Sequence, residues 1–522
     1  MKKAVSFIIS AAMVCGTAQQ FAAPVWAGES STYVEYHDEV RAETENEFPD
    51  PYARYTQVTE GSLVFNVYDE FALLEECTDT DAEEVTIPDT VEGVPVVGII
   101  GKPFGFCHKL TAIHIPDGFT HFSWFNLICT VLVPRGSEEE PMPTVLAVTV
   151  SDTNPDFTVK DGLLYSKDMK TLIGCPPAID MKELTISEET ETIGDYAFVE
   201  CMSLEKAVIP ETVKHINRNA FTGCFGLESA ELPSTITKLS GDMFYSCTSL
   251  KEVKFNGEIS VIGMGVFNEC TSLTEFEIPD TVTTIGSAAF EGSGCIENVD
   301  GIHYVGNWAV GSDSDIEKAE IREGTIGIAE MSFMVRKDMK SLDIPWSVIY
   351  VGDICFTGLS SGERAEIHNR SPYINELTFA VSKNSTDIYI YDPQCDIFDS
   401  EKTIPAEFKY LAPENAGEYP GDVDLVEEKY LAGQVAIHGY EGSTAQEYAE
   451  KYGRRFIPIE LLPGDANCDD KFNISDVVIF QKWLLGSSDQ RIPVWQNADV
   501  CADGVLDAFD LGLMKKKLIS AE

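Results

Sequence analysis

The chain has 522 residues, enough for two or three domains, and its 86 acidic against 37 basic residues give a formal charge of −49. So large an acidic excess excludes the basic surface with which a protein grips nucleic acid or an anionic membrane. Its 14 cysteines are scattered along a chain far too long for a disulfide miniprotein, and an odd number remains once Cys15 is set aside.

Lys2-Lys3, an apolar run from Ala4 to about Ala18, and Val25-Trp26-Ala27 before Gly28 read as a secretory signal peptide over residues 1–27, not as a membrane span. Val14 before Cys15 fits a lipoprotein cleavage box poorly, and nothing later has the pattern of a transmembrane helix or a wall-sorting tail. The expected product is exported and not inserted in a membrane. Residues 28–60 are polar and acidic, the composition of a mobile leader.

The body of the chain repeats. Phe198, Phe221, Phe244, Phe267 and Phe290 are spaced by 23, as are Phe333 and Phe356 after an insertion around Gly301-Ile302-His303-Tyr304-Val305. Ile193, Ile216, Leu239, Ile262 and Ile285 keep the same register, as do Leu204, Leu227, Leu250 and Leu273, and the cysteines Cys201, Cys224, Cys247 and Cys270. A fixed period in the twenties with apolar columns means a solenoid, because one coil cannot bury its own stripe and must stack on the next. Leu204 to Ile209 alternates as a short strand closed by Pro210, while Ala197-Phe198 falls in a helical or turn segment. The cysteine column reads as small, buried, apolar residues kept as thiols. This consensus resembles the BspA-like (Treponema-type) leucine-rich repeats, and the resemblance spans roughly residues 61–458. It implies an α/β solenoid of 23-residue coils, capped first by Leu63-Val64-Phe65 to Pro88 and last by a short helix between Ser443 and Gly453.

Catalytic signatures are sparse. Gly358-Leu359-Ser360-Ser361-Gly362 matches a nucleophile elbow, but falls where a repeat turn is due. The eight histidines form no zinc pattern. Outward strand positions run Lys206, Ser229, Glu252, Glu275, Lys318, Ser341 and Val208, Glu231, Lys254, Glu277, Glu320, Asp343. Neither row carries the aromatic platforms usual in sugar-binding faces, so a polar protein partner is expected there.

Near the C-terminus, Asp465, Asn467, Asp469, Asn473 and Asp476 occupy positions 1, 3, 5, 9 and 12 of a calcium loop. A second copy places Asp499, Asp503, Gly504, Asp507 and Asp510 at positions 1, 5, 6, 9 and 12. Each loop runs into an apolar helix, Val477 to Leu485 and Leu511 to Ile519, with Pro463 and Pro493 rather than a clear helix upstream. Asp470 stands at position 6 of the first loop, where glycine usually makes the turn, and Cys501 stands at position 3 of the second, a soft ligand for a hard ion. Duplicated half EF-hands of this kind resemble a type I dockerin, over residues 459–522, a small all-α module.

That resemblance implies two calcium ions and a cohesin module as partner. The expected ligands are Asp465, Asn467, Asp469, the Lys471 carbonyl, Asn473 and Asp476, then Asp499, Asp503, the Val505 carbonyl, Asp507 and Asp510, the second site being the weaker. Loop positions 10 and 11 and helix positions 17 and 18 face the partner in dockerins. Here they are Ile474, Ser475, Gln481 and Lys482 in one repeat, and Ala508, Phe509, Lys515 and Lys516 in the other. The two sets are not interchangeable, so a single binding mode led by the second repeat is expected. Together the readings imply a secreted, non-catalytic cellulosome component held at the cell surface through its cohesin. The alternatives are a carbohydrate-active enzyme or accessory of polysaccharide degradation, and a surface adhesin.

Overall fold

Each coil of the repeat is built around one phenylalanine. In the structure, a computed structural model, Phe198, Phe221, Phe244, Phe267 and Phe290 are fully buried and form a continuous stack with centroids 5.0, 5.5, 5.8 and 5.4 Å apart. Burying one such ring contributes roughly 1.5–3 kcal/mol, and the column repeats that gain once per coil. The backbone follows: the Phe198 amide donates to the Ala220 carbonyl, Phe221 to Met243, and Phe244 to Val266, at 2.7–3.0 Å, so each coil is tied to the next.

The structure describes residues 54–128, 144–334, 336, 338–353, 355–356, 365–374, 386–401, 403–404, 435–469, 471–487 and 492–520, all within one compact unit. The signal peptide, most of the leader, the Gly358–Gly362 string and Asp470 lie outside them. The first sheet already begins at Thr56–Glu60, paired antiparallel with Leu63–Val67, so ordered chain reaches back into the stretch expected to be leader.

Parallel strands one period apart line one face: Lys206 pairs with Ser229 and Ser229 with Glu252, while Val208, Glu231 and Lys254 form the adjoining row. The opposite edge of each coil carries turns. Two positions per coil take the left-handed backbone, through Tyr196, Asn219, Asp242, Gly265 and Ala288 in one column and Glu200, Gly223, Ser246, Glu269 and Gly292 in the other. No described residue between 176 and 350 is helical. The expected α/β solenoid is therefore a β-solenoid closed by turns, because a left-handed residue twice per coil interrupts any helical run.

The insertion after Phe290 is an antiparallel meander, Glu297–Val299, Ile302–Val305 and Trp308–Ser312. Its last strand pairs in parallel with Gly327–Ile328 and returns the chain to the solenoid. A six-stranded sheet then runs from Lys318–Glu320 to Arg455–Pro458. The helix Thr444–Tyr452 covers its end, with Ser443 as N-cap and Gly453 in the left-handed conformation, as expected. Gln446 accepts from the Gly442 amide rather than closing a box on Ser443 itself.

The cysteine column does more than fill space. Cys224 donates from Sγ to the Phe198 carbonyl at 3.0 Å, Cys247 to Phe221 at 3.1 Å, and Cys270 to Phe244 at 3.2 Å. Those carbonyls also accept from the amides of Cys201, Cys224 and Cys247, so the thiol uses the second lone pair. Among the described residues all twelve cysteines are free.

Candidate functional site

The C-terminal module is two loop-helix units packed face to face. The helices are Ile474–Leu484 and Ala508–Ser520, each starting earlier than the apolar pattern indicated, because the loop's own last residues form the first turn. Asn473 caps the first helix through the Ser475 amide, and Asp476 returns a bond from the Asn473 amide at 2.8 Å. Asp507 and Asp510 repeat the arrangement, accepting from Phe509 and Asp507 at 2.6 and 3.1 Å. One helical turn, Trp495–Ala498, precedes the second loop, where no helix was expected. Val477, Phe480 and Met514 close the core between the helices.

In the first loop, carboxylate oxygens of Asp465, Asp469 and Asp476 lie within 4.8 Å of one another, Asp465 and Asp476 being buried. Backbone amides hold them there. Asp476 Oδ1 accepts from Ala466 and Asn467 at 3.0 and 3.3 Å, Asp465 Oδ1 from Asp469 at 3.1 Å, and Asp469 Oδ1 from Lys471 at 3.0 Å. Asn467 donates to Asp469 Oδ2 at 3.0 Å. Burial pushes the Asp476 carboxyl above the usual range against the pull of its amide donors. Converging hard oxygens that repel one another in this way fit a divalent cation such as calcium. Gly464 opens the loop with a φ of 106° and the Phe472 ring against it, at a distance where a side chain would clash.

The second loop is assembled alike, with Asp499 accepting from Asp503 and Gly504 at 3.1 and 2.8 Å, and Asp503 from Val505 at 2.9 Å. Asp510 accepts from the Cys501 amide at 3.1 Å. Burial raises the Asp510 carboxyl, but the amides of Asp507, Cys501 and Val500 outweigh it and hold it below the usual range. The cluster that closes here is Asp499, Cys501 and Asp503. Burial and the neighbouring carboxylates of Asp510, Asp503 and Asp499 push the Cys501 thiol up to about 12, and its sulfur is a soft donor for a hard ion. The loop keeps fewer converging carboxylates than the first.

All eight residues expected to face a partner are exposed: Ile474, Ser475, Gln481, Lys482, Ala508, Phe509, Lys515 and Lys516. Phe509 is 63% and Ile474 60% exposed, so neither belongs to the module's core. Lys515 Nζ donates to Gln481 Oε1 at 2.8 Å. These occupy the same position in the two repeats, so the position-17 residues meet.

The outer strand row also continues further than its period showed. Asp343 pairs with His368, His368 with Tyr389 and Tyr389 with His438. His368, Tyr389 and His438 stack face to face, with centroids 4.7 and 4.2 Å apart. Sequence reasoning missed this ladder because the 23-residue spacing lapses after Phe356; the alternation in Ile388-Tyr389-Ile390-Tyr391 was the available signal.

Two family models match the chain. One, a BspA type leucine rich repeat region, matches six copies over residues 178–297 and 305–400; the other, a dockerin type I domain, matches residues 463–519. Among solved structures the chain is similar to a leucine rich cell surface protein from Faecalibacterium prausnitzii, at 22% identity over 65% of this chain and 89% of that one, with a TM-score of 0.29. A leucine-rich repeat protein from Bacteroides ovatus matches at 18% identity over 79% and 100%, with a TM-score of 0.32. The T. pallidum leucine rich repeat protein matches at 20% over 44% and 92%, with a TM-score of 0.26. No curated protein matches the chain. Among the described residues no helix is long and apolar enough to cross a membrane. The chain thus carries a BspA-type leucine-rich repeat region followed, at residues 463–519, by a dockerin type I domain.

Proposed function

We propose that this protein is a secreted, non-catalytic component of a cellulosome-type assembly. Its dockerin binds a scaffold cohesin when calcium fills the two loops, and its repeats present a protein-recognition surface. The observation that carries the reading is the pairing, within one small module, of converging carboxylates on Asp465, Asp469 and Asp476 with an exposed set of residues that includes Phe509. The last residues of each loop form the first turn of its helix, so an ion that orders the loop also sets the helix bearing those exposed residues. The ligand roles of the Lys471 and Val505 carbonyls, and of Asn473 and Asp507, belong to the same proposal.

The repeat face favours a polar protein partner. Its exposed ion pairs, Lys182 with Glu205 at 2.6 Å and Lys254 with Glu231 at 2.6 Å, run from coil to coil. They contribute little to stability singly and leave a mixed-charge surface suited to selecting a partner. Substituting Asp476→Ala together with Asp510→Ala should abolish capture of the full chain by an array of type I cohesins in calcium. Undiminished capture would refute the calcium-ordered dockerin, and hydrolysis of plant polysaccharides by the purified chain would refute the non-catalytic role.

A further inference from the structure

The dockerin is tied to the solenoid through the backbone of its first loop. Trp346 Nε1 donates to the Asn467 carbonyl at 3.0 Å, and Arg370 Nε donates to the Cys468 carbonyl at 3.1 Å. These are the carbonyls of loop positions 3 and 4. A calcium loop draws its backbone ligand from position 7, so both can be held from outside without competing with an ion. Arg370 is itself fixed by Asp343 Oδ1 at 2.6 Å and lies over the Tyr391 ring at 5.3 Å. Its side chain is only 15% exposed, and a charge so covered needs its acceptors.

Apolar packing surrounds these bonds. Cys468 and Val494 of the dockerin are buried in one cluster with Tyr391 and Tyr440 of the solenoid, and Trp346, Tyr389 and Ile459 pack against it. Within the dockerin Asn497 braces the first loop, accepting from the Leu462 amide at 2.9 Å and the Gly464 amide at 2.6 Å, while its side chain reaches Cys468 Sγ at 3.8 Å. The connection from the last solenoid strand is short, and Ile459 still donates to Gly439 at 2.8 Å. The cohesin-facing residues of both repeats remain exposed.

We propose that the last coils of the solenoid are a receptor for the first metal loop of the chain's own dockerin. Trp346 and Arg370 grip positions 3 and 4 of that loop, so that its order under calcium is coupled to a fixed orientation of the dockerin, with the cohesin-facing residues turned outward. Docking closes this end of the repeat face to outside partners and leaves the face around Lys206 to Lys254 open. Only the calcium coupling rests on the function proposed above; the docking itself does not.

Thiol labelling of the full chain tests this, because Cys468 is buried by the docked interface whereas Cys501 of the second loop is half-exposed. Alkylation rates of Cys468, Cys501 and Cys224 would be followed by mass spectrometry in calcium, for the natural chain, Trp346→Phe and Arg370→Gln. Losing one hydrogen bond to the loop should speed Cys468 labelling about fivefold, with Cys501 unchanged. Cys224, deep in the solenoid, should stay unreactive and thereby report that each variant folds; if one variant fails that control, the other decides. Equal Cys468 rates in both variants and the natural chain, or a natural chain whose Cys468 reacts as fast as Cys501, would overturn the docking. Chelation should accelerate Cys468 in the natural chain, and an unchanged rate would overturn the coupling. A chain that bound no cohesin would leave the variant arm unaffected, so the two proposals fail separately.

Discussion

The thiol of Cys224 donates to the carbonyl of Phe198, one coil away, at 3.0 Å. This relationship explains why cysteine recurs at that position: the site admits a small side chain with a weak donor aimed at a half-satisfied carbonyl. Ser293 takes the place of the next cysteine in the column and donates to Phe267 in the same way.

Cys224→Ala should therefore cost only about 1 kcal/mol, the net worth of one hydrogen bond with little cavity, and Cys224→Ser should be tolerated as Ser293 is. Phe221→Ala, which empties the stack between Phe198 and Phe244, should cost about 3–5 kcal/mol. Urea unfolding followed by far-UV circular dichroism checks both.

The thiols should remain reduced and inert in the native protein. Burial raises the Cys224, Cys247 and Cys270 thiols, Cys270 up to about 12, so at neutral pH almost no thiolate is present to react. Mass spectrometry of the native chain should find Cys201, Cys224, Cys247 and Cys270 unpaired; disulfides among them would contradict this.

Glu330 sets a pH dependence. Burial, then the Asp353 carboxylate, raise its carboxyl to about 7 from an ordinary 4.5. The folded state thus binds a proton more tightly than the unfolded one, so this group costs stability as pH rises from about 4.5 through 7 and the cost is constant above. Glu330→Gln should raise Tm at pH 8 and leave it nearly unchanged at pH 4.5. An equal shift at both values would show that the carboxyl's titration is not involved.

Much of this was legible beforehand, for physical reasons. The phenylalanine column announces the solenoid because one shape must fill every coil. The loops announce themselves because an ion dictates oxygen at fixed positions. The turn columns were hidden, since Tyr196, Asn219, Asp242, Gly265 and Ala288 share a backbone conformation but no chemistry. The dockerin's seat was hidden too: Trp346 and Arg370 meet residues 121 and 98 positions away, and no local pattern encodes such a contact.

The second repeat offers Ala508, Phe509, Lys515 and Lys516, whereas the first offers Ile474, Ser475, Gln481 and Lys482. Phe509→Ala should weaken cohesin binding by about 2 kcal/mol, roughly 30-fold. Lys515→Ala with Lys516→Ala should slow association and reduce its salt dependence. Ile474→Ala with Ser475→Ala should matter less. Surface plasmon resonance at two salt concentrations separates these effects, and equal losses from the two repeats would indicate two interchangeable orientations instead of one.

Calorimetric titration of the full chain with type I cohesin modules, first in calcium and then in excess chelator, bears most directly on the central claim. Binding of one cohesin per chain in calcium, lost on chelation and restored when calcium returns, is the predicted result. Binding that survives chelation unchanged, or no binding in calcium to any type I cohesin tested, would contradict it.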